Sequence, residues 1–141
     1  MEGRSVTFRV FGSIPQEARD IRTDVFVVEQ GFKVEFDDTD DVSIHIVGYI
    51  GETPVSTCRI YPVDGAYEIG RVAVRSRFRG MSLGSATVAR AEEEIRHLGC
   101  REAVLSAQVR VKPFYESMGY AAEGDEYLDE FCPHVLMRKH L

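Results

Sequence analysis

Residues 71–90, RVAVRSRFRGMSLGSATVAR, constrain this chain more than any other stretch. Arg71-Val72-Ala73-Val74 reads as the end of a β-strand. A basic turn follows from Arg75 to Arg79, and the loop Gly80-Met81-Ser82-Leu83-Gly84 passes straight into a helical pattern. Such a junction gathers unpaired backbone N–H groups at a helix N-terminus, where the dipole adds about half a positive charge. Val88, Ala91, Ile95 and Leu98 then recur at helical spacing, Glu92 and Arg96 stand four apart in the favourable order, and Gly99 ends the helix. The apolar run Ala103 to Ala107 reads as a short buried strand. Strand, helix and strand at this length make a βαβ crossover, so 103–107 is expected to lie parallel to 67–74.

The other elements fit around that unit. Residues 5–11 alternate as a first strand. Ser13 and Gln16 have capping-box spacing, Pro15 falls in the first turn, and Ala18, Ile21, Val25 and Val28 line one helix face up to the stop at Gly31. Residues 33–43 are acidic and turn-rich, a loop or short weak helix. Strand signals at 44–50, 55–61 and 67–74 are separated by short turns, which predicts an antiparallel meander. Pro113 starts a short helix stopped by Gly119. A small strand at 120–122, an acidic loop at 123–133 and a last strand at 135–139 complete the order βαβββαβαββ. No linker or repeat divides it, so residues 1–141 are expected to form one mixed α/β domain.

Composition bounds the function. A net charge of −6 argues against wrapping nucleic acid. Yet the window from 71 to 90 holds five arginines and no acid, so a local anion site fits within an acidic protein. Cys58, Cys100 and Cys132 are odd in number and lack CxxC spacing, which predicts neither zinc nor a disulfide framework. The acidic run at 37–41 lacks the glycine and distal glutamate of a calcium loop, so no metal is expected. With no apolar signal core or spanning run, the expected location is the cytoplasm, away from membranes.

Three stretches together resemble the GNAT superfamily of acyl-CoA-dependent N-acetyltransferases: GRVAVRSRFRGMSLGS at 70–85, LSAQVRVKPFYESMGY at 105–120, and DVFVVEQ at 24–30. The last of these, with His134 after Pro133, is similar to the ElaA/YjcF-like branch. The superfamily signature Gln/Arg-x-x-Gly-x-Gly/Ala reads here Arg79-Gly80-Met81-Ser82-Leu83-Gly84. Ser82 stands where glycine is usual, which suits the loop provided the backbone there does not need positive φ. The resemblance implies a mostly antiparallel twisted sheet flanked by helices, with the strands 67–74 and 103–107 splayed apart.

It also implies a chemistry. Acetyl-CoA would be the co-substrate, its pyrophosphate cradled by Arg79 through Ser85, with Arg77 or Arg79 as charge partners. The pantetheine arm would pair with the backbone of Val72, Ala73 and Val74, with Leu105 to Ala107 opposite and Lys112 and Phe114 nearby. Tyr115 is implied as the general acid that protonates the leaving thiolate, which suits a phenol of pKa near 10; a core tyrosine stacked on Phe114 is the alternative. For the base, Glu68, Glu29 and His134 stay open, as does the absence of any dedicated base. Each of the three has an ordinary reading as an exposed strand acid, a helix-end acid or a loop histidine.

The expected reaction is transfer of the acetyl group to a primary amine of a small molecule or peptide, by direct attack in a ternary complex. The alternatives are a catalytically weak CoA-binding module of the same fold, or an enzyme using another acyl-CoA. The acidic segments 35–41 and 123–130 could draw in a cationic amine or be merely solvated. A homodimer through the sheet or the last strand is an expectation that no sequence feature decides.

Overall fold

The computed structural model describes residues 5–33 and 36–141; the first four residues and Glu35, one of the acids expected to flank the acceptor, lie outside them. Seven strands form one sheet: β1 (Val6–Phe11), β2 (Ile44–Ile50), β3 (Thr53–Val63), β4 (Ala66–Val74), β5 (Glu102–Gln108), β6 (Ala121–Asp129) and β7 (Cys132–His140). Their spatial order is β1-β2-β3-β4-β5-β7-β6. Strands β1 to β4 are antiparallel, and Asp64 and Gly65, both at positive φ, make the tight reversal between β3 and β4. The one parallel pair is β4 with β5, as the crossover pattern predicts. The helices are α1 (Gln16–Arg22), α2 (Leu83–His97) and α3 (Lys112–Ser117).

Each face of the sheet carries its own core. Ile46, Ile60, Ile69 and Leu105 meet Val88, Ala91 and Ile95 of α2, all nearly or fully buried. On the other face Val47, Tyr49 and Ala73 meet Ala18, Ile21, Val25 and Phe26. Alternating residues of β2 thus serve opposite cores, as a sheet covered on both sides requires.

Five expectations need correction. Helix α1 starts at Gln16 with Pro15 as its N-cap and no side-chain cap, so Ser13 and Gln16 form no capping box. Past Thr23 the helix widens into a π-helical segment, Thr23–Glu29, in which the Gln30 N–H reaches back five residues to Val25. That stride rotates Val28 off the apolar face, leaving it 74% exposed while Phe26 is buried instead. Glu92 does not pair with Arg96: it is buried at the sheet, where it accepts from the Tyr120 hydroxyl at 2.7 Å and from Lys139 Nζ at 3.1 Å. Leu98 is exposed at the C-cap. Finally, residues 123–133 are mostly strand. β6 and β7 form a long hairpin at the sheet edge, where every residue of β6 is exposed and no buried face imposes the alternation a sequence reading relies on. The acidic 3-10 turn Asp38–Val42 is the short weak helix expected, closed by a capping box between Asp37 and Asp40.

Candidate functional site

β4 and β5 pair only at Tyr67–Ala103 and Glu68–Val104, then part. Beyond that point the facing backbone groups of Val72–Val74 have no partner strand on this side, and such groups seek a hydrogen-bonding ligand. A bulge sharpens the opening. β4 places Arg71 and Val72 opposite Cys58 alone, and Arg71 takes a positive φ of 54°. A non-glycine residue held there costs about 1–3 kcal/mol and re-aims the strand that follows.

Two cavities meet at this fork and share Gln30, Val72, Arg110, Val111 and Phe114. The smaller, of about 470 Å³, is a groove running along Val72–Val74 to Arg79, Gly80 and Ser82–Ser85. Its far end is the N-terminus of α2, whose first intrahelical bond is Ala86 N–H to Ser82 C=O at 3.1 Å. The N–H groups of Leu83, Gly84 and Ser85 are therefore the orphan donors of the first turn. Ser82, the N-cap, sits at φ 60° and ψ 23° and makes no side-chain cap bond. The position does need a left-handed backbone, so the condition attached to serine fails and the residue is strained.

The arginines are less available than the sequence suggests. Arg79 donates from Nε and Nη2 to the Val74 carbonyl at 3.0 and 2.9 Å, and its Nη atoms grip both oxygens of Glu29. Arg75 pairs with Asp24 at 2.6 Å, and Arg71 with Asp37 at 3.3 Å. Arg90 pairs with Glu94 at 3.0 Å. Among the described residues, Arg77 alone of the five has no carboxylate partner; its guanidinium lies 4.9 Å from the Phe78 ring. The π-helical segment thus neutralises two of the basic residues beside the loop, and Arg77, the charge partner the sequence offered beside Arg79, lines neither cavity. Of the residues implied for the donor site, Met81 and Lys112 line neither cavity, while Ala107 lines the larger one.

The larger cavity, of about 910 Å³, opens on the α1 side of the sheet. Glu68 and His134 both line it; Glu29 does not. The Arg79 hydrogen bond holds the Glu29 pKa below its ordinary value, which makes it a weak base. Glu68 is different: burial raises its pKa, only partly countered by Tyr61, Arg59 and Arg71. His134 is buried, with Nδ1 2.9 Å from the Cys132 carbonyl and its ring stacked on Tyr127 at 6.1 Å. Since a carbonyl only accepts, Nδ1 carries a proton, and in the neutral ring Nε2 is the acceptor. Tyr127 in turn is hydrogen-bonded to Ser106.

Tyr115 lines the same cavity, 8% exposed, edge-on to Phe114 at 4.9 Å and to Tyr120 at 5.9 Å. Burial raises its pKa, so at neutral pH it holds its proton. Cys58 is no nucleophile: burial pushes its thiol to about 12.

Part of the acidic segments is spent on internal pairing. Asp40 binds Arg22 at 2.8 Å and Arg59 at 2.9 Å, Asp37 binds Arg59 at 2.7 Å, and Glu123 binds Arg138 at 2.8 Å. Asp129 and Glu130 line the cavity wall with Lys33 and Arg110, and Glu130 accepts from the Lys33 backbone N–H at 3.2 Å.

Two wall residues lie in the family-like stretches, yet nothing in the sequence shows that they meet. Gln30 and Gln108, bonded at 2.8 Å, tie the π-helical segment to β5 beside the fork. Tyr61 was within reach: a two-residue turn at Asp64-Gly65 sets Tyr61 opposite Glu68 by counting alone.

Residues 14–120 match the model of the acetyltransferase (GNAT) family. The uncharacterized N-acetyltransferase YjcF of Bacillus subtilis is 34% identical over 122 residues, covering 84% of this chain and 87% of YjcF. The crystal structure of Escherichia coli ElaA superposes with a TM-score of 0.86 at 25% identity, over 96% of this chain and 100% of ElaA. That of an acyl-CoA N-acyltransferase from Pseudomonas aeruginosa gives 0.86 at 28% identity, over 96% and 99%.

Proposed function

The chain belongs to the GNAT acetyltransferase family, and from that premise we propose that it transfers the acetyl group of acetyl-CoA to a primary amine, by direct attack with both substrates bound. The observation that carries this reading is the fork between β4 and β5. It joins a groove ending at orphan N–H donors to a roomier cavity holding a titratable carboxylate and a phenol. A transferase needs two compartments that meet at one reacting point, and proximity of that kind can supply much of a barrier reduction.

Acetyl-CoA supplies an activated acyl group on a thiol. The first-turn N–H groups of α2 would hold its pyrophosphate and Val72–Val74 its amide-bearing arm. An N–H of the bulged segment would steady the carbonyl oxygen as it gains charge. Glu68 takes one proton from the incoming ammonium, so that the nitrogen lone pair can form the new C–N bond. Tyr115 gives its proton to the sulfur as the C–S bond breaks, and regains one from the nitrogen. The proton on Glu68 returns to solvent. Thiolate and phenol share the same dry surroundings, which raise both pKa values and keep the transfer feasible. His134 Nε2 stands on the opposite wall as the second proton acceptor to be tested.

Calorimetry with CoA, together with thiol release from acetyl-CoA across a panel of amines, tests this reading. Wild type should bind CoA and turn over at least one amine. Tyr115→Phe should lower kcat by about 100-fold while the CoA Kd stays unchanged. An unchanged kcat would remove Tyr115 from the reaction, binding without turnover would leave a CoA-binding module, and no binding would reject both.

A further inference from the structure

Tyr61 and Glu68 are directly opposed across the antiparallel β3–β4 ladder, so their side chains leave the same face of the sheet and both line the larger cavity. Their neighbours Ile60 and Ile69 face the α2 core instead. As direct cross-strand partners on that face, the two side chains stand side by side as a phenol donor and a carboxylate acceptor. The tyrosine is itself held in place. The Arg59 guanidinium lies 5.4 Å from the Tyr61 ring centroid, and Arg59 is anchored in turn by Asp37 and Asp40. A cation over the ring face, fixed by two carboxylates, limits where the ring can turn.

We propose that Tyr61 is the positioning residue of the acceptor site: its hydroxyl, braced by Arg59, aims the Glu68 carboxylate at the amine. The inference rests on the acyl-transfer reading given above. An unbraced glutamate on an open strand would sample several rotamers, and most of them would leave the proton acceptor out of reach. Burial pushes the Tyr61 pKa up to about 12, so the phenol stays a donor and does not compete for the substrate proton. Arg59, Arg71 and Asp37 are the other charged groups facing the pair from their own side. Across the cavity stand Lys33, Arg110, Asp129, Glu130 and His134.

The signs of the expected changes follow from the pairing. Contact with Tyr61 lowers the Glu68 pKa, so Tyr61→Phe should move it up. Glu68 raises the Tyr61 pKa, so Glu68→Gln should move the phenol midpoint down. Carboxyl-carbon NMR titration of the unliganded protein reads the first, with Glu68→Gln giving the assignment. Absorbance near the tyrosinate band, differenced against Tyr61→Phe, reads the second and serves if Tyr61→Phe folds poorly. With acetyl-CoA and whichever amine of the panel turns over, Tyr61→Phe should shift the acidic limb of kcat to higher pH. It should lower kcat about tenfold, with little change in KM for acetyl-CoA. Glu68→Gln should erase that limb. An unmoved Glu68 midpoint in folded Tyr61→Phe, or a limb that survives in Glu68→Gln, overturns the positioning role. Failure of wild type to bind CoA by calorimetry overturns the acyl-transfer reading instead, so the two failures are distinguishable.

Discussion

At position 82 a serine holds a backbone conformation that suits glycine, and its side chain gives nothing back as a helix cap. A left-handed residue with a Cβ costs roughly 1–2 kcal/mol, partly offset by the lower chain entropy of serine in the unfolded state. Ser82→Gly should therefore stabilise the protein by about 0.5–1 kcal/mol, raising Tm by about 3 °C in a thermal melt. CoA affinity should hold or improve, because the donors at this turn are backbone groups. A lower Tm would mean that the hydroxyl does something at the loop that its contacts do not reveal. The residues that were hard to read share one trait: their partners lie far away in the chain. Glu29 and Arg79 are 50 residues apart, and nothing local in VVEQ indicates that its carboxylate closes on the signature arginine.

Among the elements, α2 does more than present its N-terminus. Its Glu92, 4% exposed, collects Tyr120 from the end of α3 and Lys139 from β7, tying the crossover helix to the edge of the sheet beyond it. Glu92→Ala leaves a phenol and a largely covered ammonium short of their acceptor, and should cost about 2–3 kcal/mol in urea unfolding. Because Tyr120 stacks on Tyr115, the same change should loosen the proposed acid as well as the fold. A loss below about 0.5 kcal/mol would show that water replaces the carboxylate without penalty. The π-helical segment shows why element boundaries read more easily than their winding. The acidic and apolar residues of 23–29 fit an α-helix on paper, but the five-residue stride settles which of them meet the sheet and which meet Arg75 and Arg79.

For the molecule as a whole, the cluster of buried Arg22, Arg59 and Asp40 with the exposed Asp37 makes stability depend on acid. The Arg59 hydrogen bond lowers the Asp37 pKa. Burial alone would raise that of Asp40, but Arg22 and Arg59 outweigh it and hold the carboxyl far below its ordinary range. Groups whose folded pKa is depressed contribute stability above the unfolded value, near 3.9, and lose it as pH falls toward the folded value. Urea midpoints should therefore be flat near neutrality and fall below about pH 4. Asp40→Asn should lower the neutral midpoint, by about 3 kcal/mol, and flatten that acid slope. A slope unchanged in Asp40→Asn would place the acid sensitivity elsewhere. The same cluster bears on the charge of the larger cavity, since Asp37, which lines it, is occupied by arginines from β3 and β4. Among the described residues no helix is long and apolar enough to cross a membrane.

The sequence alone determined the order of elements, the parallel crossover, the meander and the start of α2 after the glycine loop. Those features are written in local signals: turn residues, hydrophobic period and connection length. It also carried enough of the family's signature to suggest the proposed donor and acid. Which charges are available, which carboxylate lines the larger cavity and where the sheet opens were decided only by tertiary structure. Ion pairs form between residues tens of positions apart, and a pKa follows burial that no single segment encodes. The fork exists because β5 turns toward β7 while β4 bulges at Arg71, a divergence of two strands that neither strand's sequence contains.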